Sequence, residues 1–227
     1  MCGFYKKVVH YFSLVKFSHT LFALPFALIG FVLALKEPGV DFGWLLLLKI
    51  VGCMFFARNS AMGFNRYADR EIDARNPRTL FREIPSGKIT PRQALTFVII
   101  NIVLFLLTAL SINLLCFILA FPALAVLLGY SYTKRYTWLS HYVLGIALGI
   151  APSAAFVAMT GYFTPAILVL SLSVFLWSAS FDILYSLSDE EIDRQQGLHS
   201  IPQKFGRVKA MRISLIGHLL LFFLIPL

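Results

Sequence analysis

Charge is scarce in this chain. Of its 227 residues only 14% are Asp, Glu, Lys or Arg, whereas 59% are hydrophobic and the mean hydropathy is +0.78. That balance lies well outside the range of a soluble globular domain. Cysteine is nearly absent too. Cys2, Cys53 and Cys116 are odd in number, widely spaced and set mostly in apolar surroundings, which argues against a disulfide framework or a metal knuckle and leaves small buried hydrophobes. Also missing is the alternation of apolar and polar residues that marks outer-membrane barrel strands, so helices must satisfy the backbone groups that lie in lipid. Acidic residues are few: 11 Asp and Glu against 20 Lys and Arg give a net charge of +9. Nucleic acid is one partner such a charge suggests, but the basic residues group by membrane side rather than over a soluble face, so no nucleic-acid partner is expected.

What is present is apolar length. Runs recur near residues 18–35, 42–63, 94–112, 114–132, 138–159, 164–182 and 213–227, and most approach the ~20 residues a helix needs to cross the hydrocarbon core. The expected fold class is therefore all-α: a single polytopic transmembrane helical bundle over residues 1–227, with seven spans in the lipid bilayer. The first run is followed by Lys36, Glu37 and Pro38 rather than a small-residue cleavage site, so it reads as a span and not as a signal peptide. With the N-terminus inside, Lys6, Lys7, Lys16, Arg66, Arg70, Arg75, Arg78, Arg82, Lys88, Arg92, Lys134, Arg135, Arg194, Lys204, Arg207, Lys209 and Arg212 all fall inside, 17 of 20 basic residues. Lys36 falls in an outer loop, while Lys49 and Arg58 lie within the second span, Lys49 snorkelling toward the outer surface. The positive-inside rule thus places the large polar loops of a multi-pass protein in the cytoplasm.

Two polar segments, near 65–92 and 186–212, follow their spans without a turn signal and read as helix continuations into the interface. They resemble each other: Asp69, Glu71, Ile72 and Asp73 recur as Asp189, Glu191, Ile192 and Asp193, and each segment later contains an Ile-Pro step, Ile84-Pro85 and Ile201-Pro202. Membrane folds built from repeated helix sets commonly place their site between the repeats. Pro77, Pro85, Gly87 and Pro91 make the rest of the first segment a series of turns able to cover such a site. Pro152 is expected to kink the fifth span, with Ser153 or neighbouring helices compensating the lost hydrogen bond.

At about 100° per residue, Asn65, Asp69 and Asp73 share one face of a helix, and Asp182, Tyr185, Asp189 and Asp193 share another, while Glu71 and Glu191 point elsewhere. Carboxylates so aligned repel one another unless a cation or buried hydrogen bonds offset them. Oxygen donors without clustered His or Cys suit a hard cation, and few carboxylates suit magnesium when substrate phosphate oxygens complete its shell. The implied ligand is a metal-bridged diphosphate. Arg58, seven residues before Asn65 and on the same face, can contact a phosphate or an aspartate. Lys134 and Arg135, with Tyr130 one turn earlier, suit either phosphate binding or interfacial anchoring. Arg66, Arg70, Arg82 and Lys88 are further cations available from the first segment. His19 and His141 read as hydrogen-bonded helix residues rather than ligands, and the 22 Phe and nine Tyr as packing or lipid-facing residues, a few of which could stabilise a cation in a cavity. A cation-coupled transporter explains the acids but less readily the arginines, and a catalytically inactive scaffold is the third class.

These residues match a known pattern. Arg58, Asn65-Arg-Tyr-Ala-Asp69-Arg-Glu-Ile-Asp73, Arg78-Thr79 and Arg82-Glu-Ile-Pro85-Ser-Gly87 resemble the first signature of the UbiA prenyltransferases. Asp182-Ile-Leu-Tyr185-Ser-Leu-Ser-Asp189-Glu-Glu-Ile-Asp193 with Gly197-Leu-His199-Ser200 resembles the second, and Tyr130 with Lys134-Arg135 the one between them. The resemblance covers nearly the whole chain and is nearest the 4-hydroxybenzoate polyprenyltransferase branch of quinone biosynthesis (ubiquinone, menaquinone), including members with Phe17-Ser18-His19-Thr20 leading the first span. It implies a roughly circular helical bundle in the bacterial inner membrane. It further implies a Mg2+-dependent transfer of a polyprenyl group from polyprenyl diphosphate to an aromatic acceptor. Asn65, Asp69, Asp73, Asp189 and Asp193 would then coordinate or orient the metal ions, the four aspartates being the catalytic set. Asp182 and Tyr185 would support the second motif, and Arg58, Lys134 and Arg135 would hold the diphosphate beside Tyr130. Two positions depart from the pattern: Arg66 stands where the ubiquinone branch often has Asp, and His199 where many relatives have Lys. The family usually has about nine spans, so a chain ending within its seventh, at Ile213–Leu227, reads as truncated at the C-terminus.

Overall fold

The computed structural model describes residues 9–15 and 17–224, the side chains of 17–22 aside. Among these every regular element is a helix and no strand occurs. After a helical stretch at 9–14 come α1 (Phe17–Ala34), α2 (Trp44–Ala68), the short α3 (Arg70–Arg75), α4 (Pro91–Ile112), α5 (Leu114–Tyr136), α6 (Ser140–Thr160), α7 (Pro165–Ser186), the short α8 (Glu190–Gln195) and α9 (Ile201–Phe205), and α10 (Arg207–Leu224). Five of them, α2, α4, α5, α6 and α7, are long and apolar enough to cross a membrane. The first expected span corresponds to α1, whose apolar part is Ala23–Ala34. The expected run at 213–227 is instead the later part of α10, which opens with Arg207, Lys209 and Arg212; residues 225–227 lie outside the described range.

The boundaries follow local chemistry. Thr90 caps α4 with a reciprocal Thr90–Gln93 capping box and Pro91 at the first helical position. Asn113 ends α4 and starts α5, its side chain accepting from the Cys116 amide at 2.7 Å, so two spans are joined by one residue. Thr164 and Pro165 open α7 in the same way, and Gly161, at φ +78°, ends α6 in the left-handed conformation glycine allows.

Helices α1, α2, α5 and α6 touch in a closed cycle, with α4 packed outside α2 and α5, α7 outside α6, and α10 outside α7. Lipid offers no hydrophobic drive for helix association, so close approach of small residues matters. A Cβ on Gly145 or Gly149 of α6 would stand 2.8 or 2.9 Å from the Phe175 or Ser171 carbonyl oxygen of α7, and one on Gly30 of α1 would collide with the Pro152 carbonyl. Pro152 lies inside α6, and the hydroxyl of the next residue, Ser153, pairs with that of Ser171 on α7 at 2.6 Å. Lys49 sits at the end of the bundle away from the acidic motifs and donates to the Ser111 carbonyl at 2.6 Å, where the C-terminus of α4 favours a cation.

Candidate active site

The first acidic segment is not one continuous helix. α2 stops at Asp69 and α3 starts at the next residue, yet the amides of Asp69 and Asp73 still bond four residues back, to Asn65 and Asp69, at 2.9 and 2.7 Å. Asn65 and Asp69 therefore keep a common face, and Asn65 Nδ2 donates to Asp69 Oδ2 at 3.0 Å. Arg135, at the end of α5, donates to Asp69 Oδ1 at 3.1 Å and to the Ala68 carbonyl at 2.6 Å. Asp73 turns inward and is buried, with Arg82 Nη1 2.5 Å from its Oδ1 and no partner for Oδ2. Burial pushes the Asp69 carboxyl above its ordinary value; the Arg135 hydrogen bond opposes this, and the Asp73 charge adds to it.

The second segment departs further from a single helix. Beyond α7 the amides of Leu187, Ser188 and Asp189 bond only three residues back, to Leu184, Tyr185 and Ser186 at 3.2, 3.3 and 3.0 Å, before α8 resumes. This tighter turning alters the helical phase, so Asp182, Tyr185, Asp189 and Asp193 do not form one face. Asp182 stays on α7 and pairs with His141 at 2.6 Å. Tyr185 is 60% exposed and is not brought into the site, which corrects its expected place. Asp189 meets Arg78, whose Nη2 lies 2.7 Å from Oδ1 and donates to Oδ2 at 2.9 Å. Asp193 is buried, with Lys134 Nζ 3.6 Å from an Oδ2 that has no hydrogen-bond partner. Burial pushes its carboxyl up, opposed by Lys134 and the Ser200 hydroxyl.

Both motifs lie at one end of the bundle, and there an apolar cavity of about 820 Å³ begins. Arg58, Asn65 and Tyr130 line its polar end, while Ala27, Ile50, Cys116 and Phe163 line it toward the opposite end. Tyr130 stands within electrostatic reach of Arg58, Asp69, Asp182 and Asp193, so it faces both acidic segments. Arg58 Nε is buried without a partner. Cys53 and Cys116 are free thiols of the cavity wall; Cys2 and the side chain of His19 lie outside the described residues.

The donor set accommodates a hard cation. Asp73 Oδ2 and Asp193 Oδ2 are buried carboxylate oxygens without hydrogen-bond partners, and all the candidate donors are oxygens or one amide. Among the described residues no three carboxylate, imidazole or thiol groups gather into a cage. A cation held here would draw further ligands from water or an anionic substrate, the mode magnesium favours.

Two arginines gained roles that their sequence positions did not assign. Arg82 was one of several available cations and Arg78 merely part of a signature; the structure joins them to Asp73 and Asp189. Arg70 instead bonds the Tyr67 carbonyl and Glu71, and Arg66 is buried near Asp73, Glu83, Asp69 and Arg82. Spacing alone could not separate them, because the choice depends on how the turns of 76–90 fold back. That fold is anchored by Ile84 and Ile89 packed on Leu14, and by the Ser13 hydroxyl donating to Glu83.

Fold and site together define a polytopic helical membrane protein with two facing acidic motifs at the mouth of an apolar cavity. The UbiA prenyltransferase family profile matches residues 23–227, and the chain belongs to that family. It is 32% identical over 179 residues to a 4-hydroxybenzoate octaprenyltransferase of Citrobacter koseri, covering 79% of this chain and 62% of the relative. A protein of the same name from Salmonella paratyphi B is 31% identical over 79% of this chain and 61% of its own length, so this chain spans about three fifths of these curated relatives. Among solved structures, the apo UbiA homolog from Aeropyrum pernix K1 superposes with a TM-score of 0.83 at 32% identity, covering 91% of this chain and 77% of that one. A UbiA homolog from Archaeoglobus fulgidus bound to GPP and Mg2+ shares the fold, with a TM-score of 0.80 at 23% identity over 95% of this chain and 76% of that one.

Proposed function

We propose that this chain carries the site of a membrane prenyltransferase that moves a polyprenyl group from its diphosphate to an aromatic acceptor of the 4-hydroxybenzoate type, in quinone biosynthesis. One observation carries the reading: two acidic segments, each matched to cations, meet at the polar end of a long apolar cavity. A diphosphate head needs the first feature and a prenyl tail the second. The relatives named as octaprenyltransferases and the homolog bound to GPP and Mg2+ support it.

Asn65, Asp69, Asp73, Asp189 and Asp193 would hold Mg2+, which when bound supplies charge neutralisation of the departing diphosphate. Arg58, Lys134 and Arg135 hold the diphosphate oxygens, and Arg78 and Arg82 pass from carboxylate to phosphate partners as the head group enters. The apolar walls keep water from the allylic cation, and aromatic faces such as Tyr130 favour its charge. An electron-rich acceptor carbon attacks, then loses its proton to restore aromaticity. Asp182 orients groups at the second motif. The protein sits in the bacterial inner membrane with both motifs toward the cytoplasm, where 17 of the 20 basic residues then lie.

Membranes containing the chain, supplied with labelled polyprenyl diphosphates and a panel of aromatic acceptors, test this. The expected result is Mg2+-dependent label in a lipid-soluble product with 4-hydroxybenzoate among the accepted partners. Cation flux in proteoliposomes without any labelled product would replace the reading with that of a transporter.

A further inference from the structure

We propose that His141 is the positioning residue of the second acidic motif, a neutral imidazole that holds Asp182 with one nitrogen and the Ile201 amide with the other. The consequence for turnover rests on the prenyl-transfer reading above; the bridge itself rests on geometry.

His141 lies in the first turn of α6 and is fully buried. Its Nε2 is 3.3 Å from the backbone nitrogen of Ile201. An amide N–H can only donate, so Nε2 carries the lone pair. A neutral imidazole then bears its proton on Nδ1, and this N–H donates to Asp182 Oδ2 at 2.6 Å. Protonating the ring would remove the acceptor for Ile201. The rigid ring therefore fixes two partners 19 residues apart in sequence at opposite edges, one on α7 and one at the start of α9.

Those partners matter because the second motif is broken at 187–189, which leaves Asp182 and Asp193 on separate helices. Their relative placement has to come from cross-links. Residues 198–201 supply them: the Leu198 amide donates to the Asp193 carbonyl at 2.8 Å, the His199 amide donates to the Lys134 carbonyl at 2.7 Å, and Ile201 packs with Ile183 and Ala210. His141 closes the path from Asp182 through Ile201 and the segment 198–200 to Asp193. Asparagine or glutamine could copy one edge of the ring, but neither spans both.

Selective 15N-His labelling of the whole chain in micelles tests the bridge without turnover. Five histidines are present, and the His141→Gln spectrum identifies the signal that belongs to His141. The expected state is neutral with the proton on Nδ1, and Asp182→Asn should shift that resonance; an Nε2-protonated or cationic ring overturns the proposal. Kinetics supply the second arm. His141→Leu should raise the KM for prenyl diphosphate about 10-fold or more, as loss of an outer-shell partner does. His141→Asn, which keeps only the Asp182 bond, and His141→Gln, which keeps only the Ile201 bond, should each recover part of it. Full recovery by either variant refutes a two-sided bridge. A wild-type protein with the expected tautomer and no prenyl transfer would sink the functional reading and leave the bridge standing.

Discussion

Arg78 and Asp189, 111 residues apart in sequence, stand 2.7 Å from each other and join the loop after the first acidic motif to the second motif. With Arg82 on Asp73, Arg135 on Asp69 and Lys134 near Asp193, each of the four motif aspartates has its own cation.

Asp69→Ala or Asp189→Ala should lower prenyl transfer by roughly 10²–10³-fold, the scale of losing one charge-stabilising group from an active site. Membrane insertion should be unchanged, as judged by fractionation. Near-normal turnover in either inserted variant would remove the metal role.

Arg58→Lys should weaken use of prenyl diphosphate with every acceptor tested. Arg58 lines the polar end of the cavity with an unpartnered buried Nε, and an ammonium group cannot bridge two oxygens as a planar guanidinium does. The measurement is KM for prenyl diphosphate across the acceptor panel. A changed acceptor preference with an unaltered KM would move Arg58 to the acceptor pocket.

Acid should oppose the metal. Burial holds the Asp69 and Asp193 carboxyls above their ordinary value, so the ligand-free folded state takes up protons more readily than the unfolded chain. These two carboxyls therefore contribute stability that is present at low pH and lost as pH rises through their raised pKa values. Mg2+ with diphosphate requires the ionised carboxylates, so its stabilising effect should grow over the same window. Thermal unfolding in detergent against pH, with and without Mg2+ and a prenyl diphosphate, reads both trends; a ligand effect that shrinks as pH rises would contradict this.

Single cysteines at Ser86 and Gln195, both exposed, in a background lacking the native thiols, should react with an impermeant reagent from the same side of the membrane. That side is expected to be the cytoplasmic one. Labelling from opposite sides is incompatible with a common site.

Gly149→Leu should destabilise the bundle by about 1–3 kcal/mol, the usual cost of overpacking. The cause is the 2.9 Å separation between an added Cβ and the Ser171 carbonyl oxygen, a backbone atom that cannot swing aside. A thermal midpoint equal to that of wild type would mean that α6 and α7 have room to separate.

Hydropathy alone located the long helices, because a span in lipid must satisfy its backbone within its own sequence and needs ~20 apolar residues. The repeated Asp69/Asp73 and Asp189/Asp193 pattern and the lone arginine at 58 were equally legible, since charge in apolar sequence is costly and conspicuous. Which residues meet was not. The straight helical wheel put Tyr185 and Asp182 on the face of Asp189, but turn bonding at 187–189 changed the phase, left Tyr185 outside and gave Asp182 to His141. Spacing gave none of Arg78, Arg82, Lys134 and Arg135 a particular carboxylate; the fold assigned each of them one. Local sequence determines which segments become helices and which charges need partners; pairings across 41 to 111 residues depend on how the loops return over the bundle, and only tertiary packing decides that.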